Sequence, residues 1–193
     1  VRLVGPMPTP AISYLANSFK KEAGVVISAS HNSYEDNGIK FFNDNGKKIS
    51  DSLGERIEKK LAEEMTVVEA KDLGKAARIS DANGRYIEFC KSCLKRDVNF
   101  SSLKIVLDVA NGAAYDVAPK VFKELGADLI VIADKPNGMN INKDCGSNNI
   151  ELLKNEVKKN AADFGLALDG DGDRLIFVDE NSEILDGDEI LYV

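Results

Sequence analysis

"LKIVLDVANGAAYDVAPKVFKELGADLIVIA", residues 103–133, contains two short apolar runs separated by a segment with helical periodicity. In the middle segment, Val117, Val121 and Leu125 recur on one helical face, and Gly126 follows as a typical helix end. The flanking runs have the length and apolar character of buried strands. A strand–helix–strand segment of this kind predicts a βαβ unit, in which the two strands lie parallel.

The alternation of helices and strands continues towards the C-terminus. "NIELLKNEVKKN" (149–160) predicts a helix, and "FGLAL" (164–168) and "RLIFVD" (174–179) predict two further strands. "VDENSEIL" (178–185) predicts a hairpin turn between two short strands. Together these segments predict one α/β domain from about residue 83 onward, built on a mostly parallel sheet.

The upstream residues predict part of a second domain. "TPAISYLANSFKKEAG" (9–24) predicts a helix with Thr9 as its N-cap and Gly24 at its end. "VVIS" (25–28) predicts a short buried strand, and the mixed residues 66–81 a linker. The expected fold class is therefore α/β: two α/β domains with mixed, mostly parallel sheets flanked by helices, the first domain truncated.

The composition is that of a soluble globular protein, with 44% hydrophobic and 30% charged residues. The net charge of −7 argues against a nucleic-acid partner. No apolar run is long enough to cross a bilayer and no signal-peptide pattern is present, so we expect no membrane partner and a cytoplasmic location. The chain begins at Val1 and closes on a pattern typical of an interrupted helix, which predicts a fragment of a longer protein.

An acidic loop, "DGDGDR", lies between two of the predicted strands. Asp169, Asp171 and Asp173 alternate with glycines, and alternate residues of an extended segment point the same way. Three converging carboxylates repel one another unless a cation lies among them, and oxygen ligands suit Mg²⁺ or Ca²⁺. The alternative is a solvated acidic turn. An EF-hand is disfavoured because Arg174 occupies the position that requires glycine and the flanks are strand-like.

A second polar stretch, "VVISASHNSYEDNGIK" (25–40), contains the single histidine of the chain, His31. His31 directly follows Ser30, and neighbouring residues of an extended segment point to opposite sides, which disfavours a serine–histidine triad. The simpler interpretation is a polar turn. Lys40 would place a cation near the serine. A phosphoryl group on a serine would supply an anion for a metal bound by the acidic loop, so the two loops together favour metal-assisted phosphoryl transfer.

These two loops carry a family resemblance. "SASHNSYEDNGIKFF" with "DGDGDR" resembles the α-D-phosphohexomutase superfamily, and "GPMPTPA" with "NGMNINKDCGS" is most similar to the bacterial phosphoglucosamine mutases. The resemblance implies that Ser30 is an active-site phosphoserine whose phosphate binds one Mg²⁺ together with the three aspartates. It also implies that Lys40, His31 and Arg174 surround the transferred group. Lys40 is the expected general base, since desolvation can bring a lysine towards a neutral pKa.

The resemblance further implies an isomerase that interconverts glucosamine 6-phosphate and glucosamine 1-phosphate, with glucosamine 1,6-bisphosphate as intermediate or activator. The partner is then a small phosphosugar, and the full-length protein is a possible homodimer. The implied domains are residues 1–82 (the C-terminal part of domain 1), 83–186 (domain 2) and 187–193 (the start of a third). Ser33 stands where the family usually has proline, which predicts a looser turn.

Other functions remain as alternatives. Within the superfamily the alternative is a phosphoglucomutase or phosphomannomutase, because the segments that choose the sugar are absent from this sequence. From other classes, the alternatives are a serine hydrolase and a non-catalytic metal-binding domain. We expect these 193 residues to bind a metal but to turn over little or no substrate.

Overall fold

The computed structural model describes residues 1–192. The C-terminal half is built on a five-stranded sheet. Its strands are β5 (Lys104–Asp108), β6 (Asp128–Ile132), β7 (Phe164–Leu168), β8 (Leu175–Asp179) and β9 (Ile184–Leu185). β5 pairs in parallel with β6 and β7, whereas β7–β8 and β8–β9 are antiparallel. The predicted βαβ unit and the predicted hairpin are both confirmed.

Helices cover both faces of this sheet, because alternate residues of β5 point to opposite sides. Val106 packs with Leu153 and Val157 of helix α5 (Glu151–Asn160). On the other face, Ile105 and Leu107 pack with residues of and around helix α4 (Val117–Glu124), including Ala118 and Phe122. The expected α/β class, with mixed sheets flanked by helices, is confirmed. The expectation that the sheets are mostly parallel is wrong, because among residues 1–192 three strand pairs are parallel and three are antiparallel.

The N-terminal half has smaller sheets. β2 (Ala23–Ser28) and β3 (Gly38–Asn43) form an antiparallel pair, and β1 (Arg2–Leu3) pairs in parallel with β4 (Ala77–Arg78). Its helices are α1 (Thr9–Ser18) and α2 (Asp51–Leu61), with a short 3₁₀ turn at Ala70–Asp72. α3 (Ala82–Ser92) follows, and the chain closes with α6 (Gly187–Tyr192).

Two details of the predicted first helix are wrong. Pro8, not Thr9, is the N-cap residue, and the helix ends at Ser18, so that Gly24 lies inside β2. Thr9 is helical and buried, and its hydroxyl group contacts the acidic loop instead of capping. Of the predicted third segment, 187–193, residue 193 lies outside the described residues.

One apolar cluster joins the two halves. Leu15 from α1 packs with Tyr86 and Ile87 from α3 and with Val117 from α4. Next to this cluster, the first residue of α1 contacts the loop that follows β7, because the Thr9 N–H donates to the Asp171 carbonyl at 2.8 Å. Among residues 1–192, every helix falls short of the length and apolar character that a membrane crossing requires.

Candidate active site and metal centre

The serine loop, defined here as residues 29–37, connects β2 to β3. Ser30 has a backbone φ of 54°, in the left-handed region that non-glycine residues adopt at a cost of roughly 1–2 kcal/mol. Two local bonds hold this turn: the Ser30 N–H donates to Ser28 Oγ at 2.9 Å, and the Asn32 N–H donates to the Ala29 carbonyl at 2.9 Å. The segment is therefore a tight turn, as in the simpler interpretation of the sequence, and the extended geometry assumed for Ser30 and His31 is wrong.

The acidic loop, defined as residues 169–174, connects β7 to β8. Gly172 has φ 66°, and its N–H donates to the Asp169 carbonyl at 3.0 Å, which closes a turn. One carboxylate oxygen from each of Asp169, Asp171 and Asp173 lies within 4.8 Å of the others. The predicted convergence of the three side chains is present, but a turn produces it and not an extended strand.

The three carboxylates suit a divalent cation. Asp169 and Asp171 are fully buried, and Asp173 is exposed. Asp169 Oδ1 accepts the N–H groups of Asp173 and Arg174, but Asp169 Oδ2 is buried without a hydrogen-bond partner among residues 1–192. Burial, with the charges of Asp171 and Asp173, raises the pKa of Asp169. A buried, unpartnered oxygen beside two further carboxylates fits a hard cation such as Mg²⁺.

Lys40 joins the two loops. From β3, its Nζ lies 2.6 Å from Asp171 Oδ2, 3.0 Å from Asp173 Oδ2 and 3.5 Å from Ser30 Oγ. Ser30 Oγ in turn donates to Asp171 Oδ1 at 3.1 Å. The fold thus brings Ser30, Lys40 and the three aspartates to one place, although Ser30 and Asp171 are 141 residues apart in sequence.

The pKa of Lys40 differs from the expectation. Burial alone lowers it, but the hydrogen bonds and charges of Asp171 and Asp173 outweigh burial, and the pKa is raised. The expected shift towards neutrality is therefore wrong for this arrangement, in which Lys40 is an ammonium ion. For Asp171, burial alone raises the pKa, but hydrogen bonds from Lys40, Thr9 and Ser30 lower it below its usual range.

The other two predicted residues lie at the edge of the site. The Arg174 side chain is exposed, and its backbone N–H donates to Asp169 Oδ1 at 3.1 Å. His31 is partly buried, and its Nδ1 has no hydrogen-bond partner among the described residues. The groups that bond to Ser30 Oγ are Asp171 and Lys40. This arrangement does not contain the serine–histidine contact of a hydrolase triad.

Sequence reasoning missed three contributors to the site. The Thr9 hydroxyl donates to Asp171 Oδ2 at 2.5 Å, and its N–H donates to the Asp171 carbonyl at 2.8 Å. Asn142 and Asn148 donate their side-chain N–H groups to carbonyls of the serine loop. The only sequence signals were the proline-flanked threonine in "GPMPTPA" and the unusual number of asparagines in "NGMNINKDCGSNN".

A cleft of about 800 Å³ adjoins the two loops. Ala29, Tyr34 and Asn37 of the serine loop border it, together with Gly170 and Asp171 of the acidic loop. The cleft has the size of a small-molecule site.

Comparison with known proteins shows the family. A family model described as phosphoglucomutase/phosphomannomutase, alpha/beta/alpha domain I, matches residues 1–67, and the model for alpha/beta/alpha domain II matches residues 84–183. The chain belongs to the phosphoglucomutase/phosphomannomutase family.

Individual relatives agree with this assignment. The chain is 56% identical to the phosphoglucosamine mutase of Pseudomonas fluorescens (strain SBW25) and 55% identical to that of Pseudoalteromonas translucida (strain TAC 125). Each match covers 100% of this chain and 43% of the relative, so the chain spans less than half the length of these curated relatives. A solved phosphoglucomutase/phosphomannomutase family protein from Burkholderia thailandensis is 27% identical, with a TM-score of 0.74 over 95% of this chain and 41% of that one.

Proposed function

We propose that this chain carries the phosphoserine and metal-binding part of a phosphoglucosamine mutase, which interconverts glucosamine 6-phosphate and glucosamine 1-phosphate. The observation that carries the proposal is the Ser30 hydroxyl, 3.1 Å from Asp171 within a trio of carboxylates suited to a cation. The 56% identity to a phosphoglucosamine mutase supports the choice of sugar. The proposed domains are residues 1–82, 83–186 and the start of a third from 187, in a cytoplasmic protein that binds no nucleic acid or membrane.

In the proposed reaction, phosphorylated Ser30 gives its phosphoryl group to a hydroxyl of the sugar monophosphate. The bond between phosphorus and Ser30 Oγ breaks, and a bond forms between phosphorus and the sugar oxygen, which yields the 1,6-bisphosphate. The proton of the sugar hydroxyl passes to Ser30 Oγ. The bisphosphate then turns over in the site, and the reverse transfer of its other phosphoryl group regenerates phosphorylated Ser30 and releases the isomeric monophosphate.

Lys40 is the residue we propose to carry that proton. Its Nζ lies 3.5 Å from Ser30 Oγ, and its raised pKa favours the ammonium form, which can donate to the departing serine oxygen. The amine then accepts the proton of the sugar hydroxyl, so the lysine is unchanged at the end of the transfer. His31 and Arg174, at the rim, are proposed to contact the phosphoryl oxygens.

Asp169, Asp171 and Asp173 would hold Mg²⁺ together with the phosphate of Ser30. Bound there, Mg²⁺ would neutralise the negative charge that accumulates on the phosphoryl group during transfer. Thr9 fixes Asp171 through both its hydroxyl and its backbone N–H, which keeps that carboxylate oriented towards Ser30.

A phosphoglucomutase or phosphomannomutase is the second candidate, because the matching family models carry both of those activities in their description. Rates on glucosamine, glucose and mannose phosphates, measured with a full-length protein that carries this chain, separate the candidates. We expect the highest kcat/KM for glucosamine phosphates.

The direct test of the mechanism is the phosphorylation state of Ser30. The full-length protein is incubated with Mg²⁺ and a hexose 1,6-bisphosphate, and the tryptic peptide Glu22–Lys40 is sequenced by mass spectrometry. We expect phosphate on Ser30, its removal by sugar monophosphate, and no loading in EDTA or in Ser30→Ala. Ser33→Ala is the matched control and should load normally. A wild-type peptide that stays unmodified would refute the proposed function and leave a metal-binding α/β domain.

A further inference from the structure

The loop between β6 and α5 reaches the serine loop across the domain junction. We call residues 134–149 of this connection the asparagine loop. Asn142 Nδ2 donates to two carbonyls, those of Ser30 at 2.8 Å and Asn32 at 2.8 Å. Asn148 Nδ2 donates to the carbonyl between them, that of His31, at 2.7 Å. Three consecutive carbonyls of the serine loop are therefore held by two side-chain amides.

We propose that Asn142 and Asn148 are positioning residues that fix the Ser30 hydroxyl at the acidic loop and thereby set the rate of phosphoryl transfer. The proposal rests on the proposed function for its catalytic consequence. Neither asparagine contacts Ser30 Oγ, whose partners are Asp171 and Lys40. Both act through the backbone of the serine loop.

The asparagine loop can serve as a fixed support because a buried carboxylate anchors it. Asp108, at the end of β5, is fully buried and accepts the N–H groups of Ala110 at 2.9 Å and Gly146 at 2.7 Å. Asn111 adds a second tie, since its Oδ1 accepts the Lys135 N–H at 3.1 Å. A buried charge that accepts two backbone donors is costly to separate from them, so these contacts keep the loop in one conformation.

The same loop is also attached to the strand that leads into the acidic loop. The Ser147 N–H donates to the Leu168 carbonyl at 2.9 Å, directly before Asp169. Gly146 has φ 74°, and a Cβ there would lie 2.8 Å from that same Leu168 oxygen. The asparagine loop thus contacts both the serine loop and β7, the strand that leads into the acidic loop. It therefore fixes the position of the serine loop relative to β7.

Neutral amides suit this role. The serine loop presents carbonyl oxygens, so the side chains that hold it must donate hydrogen bonds. A lysine or arginine could donate them, but its charge would compete with a cation for the nearby aspartates. An aspartate would repel the carbonyls. Asn142 itself has φ 57°, a left-handed conformation that asparagine adopts more readily than most residues. The residue type is therefore explained by both the backbone conformation and the required donor.

The catalytic consequence follows from the sensitivity of group transfer to geometry, where a displacement of about 1 Å can reduce the rate by about 100-fold. Loss of the amides should allow the Ser30 backbone to move while the metal ligands and the cleft remain. We therefore expect the maximal rate of Ser30 phosphorylation to fall, without a matching change in the affinity for Mg²⁺ or for the sugar bisphosphate.

The experiment uses the full-length protein with Asn142→Asp, Asn142→Gly, Asn148→Ala and the combination of Asn142→Gly with Asn148→Ala. Asn142→Asp keeps the size and the tolerance of positive φ, and Asn142→Gly adds no charge. The matched control is Asn149→Ala, on the same loop, because none of the hydrogen bonds to the serine loop comes from the Asn149 side chain within residues 1–192. Ser30 loading by glucose 1,6-bisphosphate is measured as a function of its concentration, and Mg²⁺ affinity by calorimetry.

We expect the maximal loading rate to fall about 10- to 100-fold in the double variant. The half-saturating bisphosphate concentration and the Mg²⁺ affinity should stay within about twofold of the wild type, and Asn149→Ala should behave as wild type. A variant that was merely misfolded would lose Mg²⁺ binding as well. A double variant with the wild-type loading rate would overturn the proposal.

Hydrogen–deuterium exchange separates this proposal from the proposed function. If wild-type Ser30 is never loaded, the mutase function fails, and exchange of the serine-loop amides then decides whether the two asparagines hold the loop. Faster exchange at residues 29–37 in the double variant, with unchanged exchange in β5 and α5, supports the positioning role. Unchanged exchange in the serine loop overturns it.

Discussion

Gly170 shows how closely the two loops approach at the scale of a single residue. A Cβ at this position would lie 2.5 Å from the Ser30 carbonyl oxygen and 2.5 Å from Ile141 Cδ1. The carbonyl belongs to a turn that Asn142 also holds, so it cannot move away without breaking that bond. Glycine is required here because the backbone of one loop lies against the backbone of the other.

We predict that Gly170→Ala separates the serine loop from the acidic loop. Overpacking against a fixed backbone atom should reduce the free energy of unfolding by about 1–3 kcal/mol, measured by urea denaturation. Gly54→Ala is the control: Gly54 lies within helix α2 with no atom near its added Cβ, and the change should stabilise by up to about 1 kcal/mol. A Gly170→Ala variant as stable as the wild type would contradict the close contact.

The residues that the sequence identified are those whose chemistry is visible locally. Asp169, Asp171 and Asp173 were found because three carboxylates at alternate positions need a cation. The sequence did not identify Thr9, Asn142 and Asn148 as site residues. Their side chains are ordinary polar groups that contribute through hydrogen bonds to residues more than 100 positions away. The error in the Lys40 pKa has the same origin, since its two aspartate partners come from the other loop.

At the scale of elements, helices α3 and α4 are linked by a polar contact that depends on pH. Asp116, immediately before α4, accepts from Asn83 Nδ2 of α3 at 2.6 Å and pairs with Lys120 at 2.6 Å. The hydrogen bond from Lys120, against the opposing effect of burial, lowers the pKa of Asp116 from its usual 3.8. A carboxylate whose pKa is lower in the folded state than in the unfolded state stabilises the fold at pH values above its unfolded-state pKa. This stabilisation is lost as the pH falls through the folded-state pKa.

We predict that wild type exceeds Asp116→Asn in unfolding free energy by about 0.5–1 kcal/mol near pH 6, since the pair is partly exposed and screened. The difference should shrink as the pH falls below 3.8. Urea denaturation across this range measures it. In a Lys120→Met background, the pH-dependent part of the difference should largely disappear. If the stability difference between wild type and Asp116→Asn grew towards low pH, the predicted direction of the pH dependence would be wrong.

The elements themselves were predictable where the periodicity is strong. β5, α4 and β6 form where the sequence indicated because apolar residues recur with the period of the structure that buries them. The start of α1 was misjudged because Pro8 and Thr9 are both compatible with a helix start, and only the contact of Thr9 with Asp171 distinguishes them. Its end was misjudged because the chain turns at Lys20, which has a left-handed φ of 48°, before Gly24 is reached. The left-handed backbone of Ser30 was not predictable from the sequence, since contacts from Ser28 and the asparagine loop stabilise a conformation that serine seldom adopts alone.

At the scale of the whole molecule, the candidate site lies where the two halves of the chain meet. The N-terminal half supplies Ser30, Lys40 and Thr9, and the C-terminal half supplies the aspartates and the two asparagines. The apolar cluster of α1, α3 and α4 holds the halves together beside it. A cation bound by the aspartates would therefore stabilise a junction and not an isolated loop.

This arrangement predicts a stability linked to Mg²⁺. The buried carboxylate of Asp169 has a raised pKa from burial and from its neighbours' charges, so its ionised form destabilises the metal-free fold. Binding of Mg²⁺ only to the folded state adds about 2.7 kcal/mol of stability at 100 times the Kd. We expect Mg²⁺ to raise the Tm of this chain, followed by circular dichroism at constant ionic strength.

Asp169→Asn separates specific binding from a general salt effect. Because it removes a buried charge, the variant should be more stable than the wild type in EDTA and should gain little from Mg²⁺. Asp179→Asn, which changes a carboxylate in the β8–β9 turn away from the junction, should keep the full response. An equal rise in Tm for wild type and Asp169→Asn would mean that Mg²⁺ acts elsewhere. The three carboxylates would then be a mutually repelling acidic turn, and the contacts of Asp171 with Ser30 and Lys40 would have to be explained without a metal.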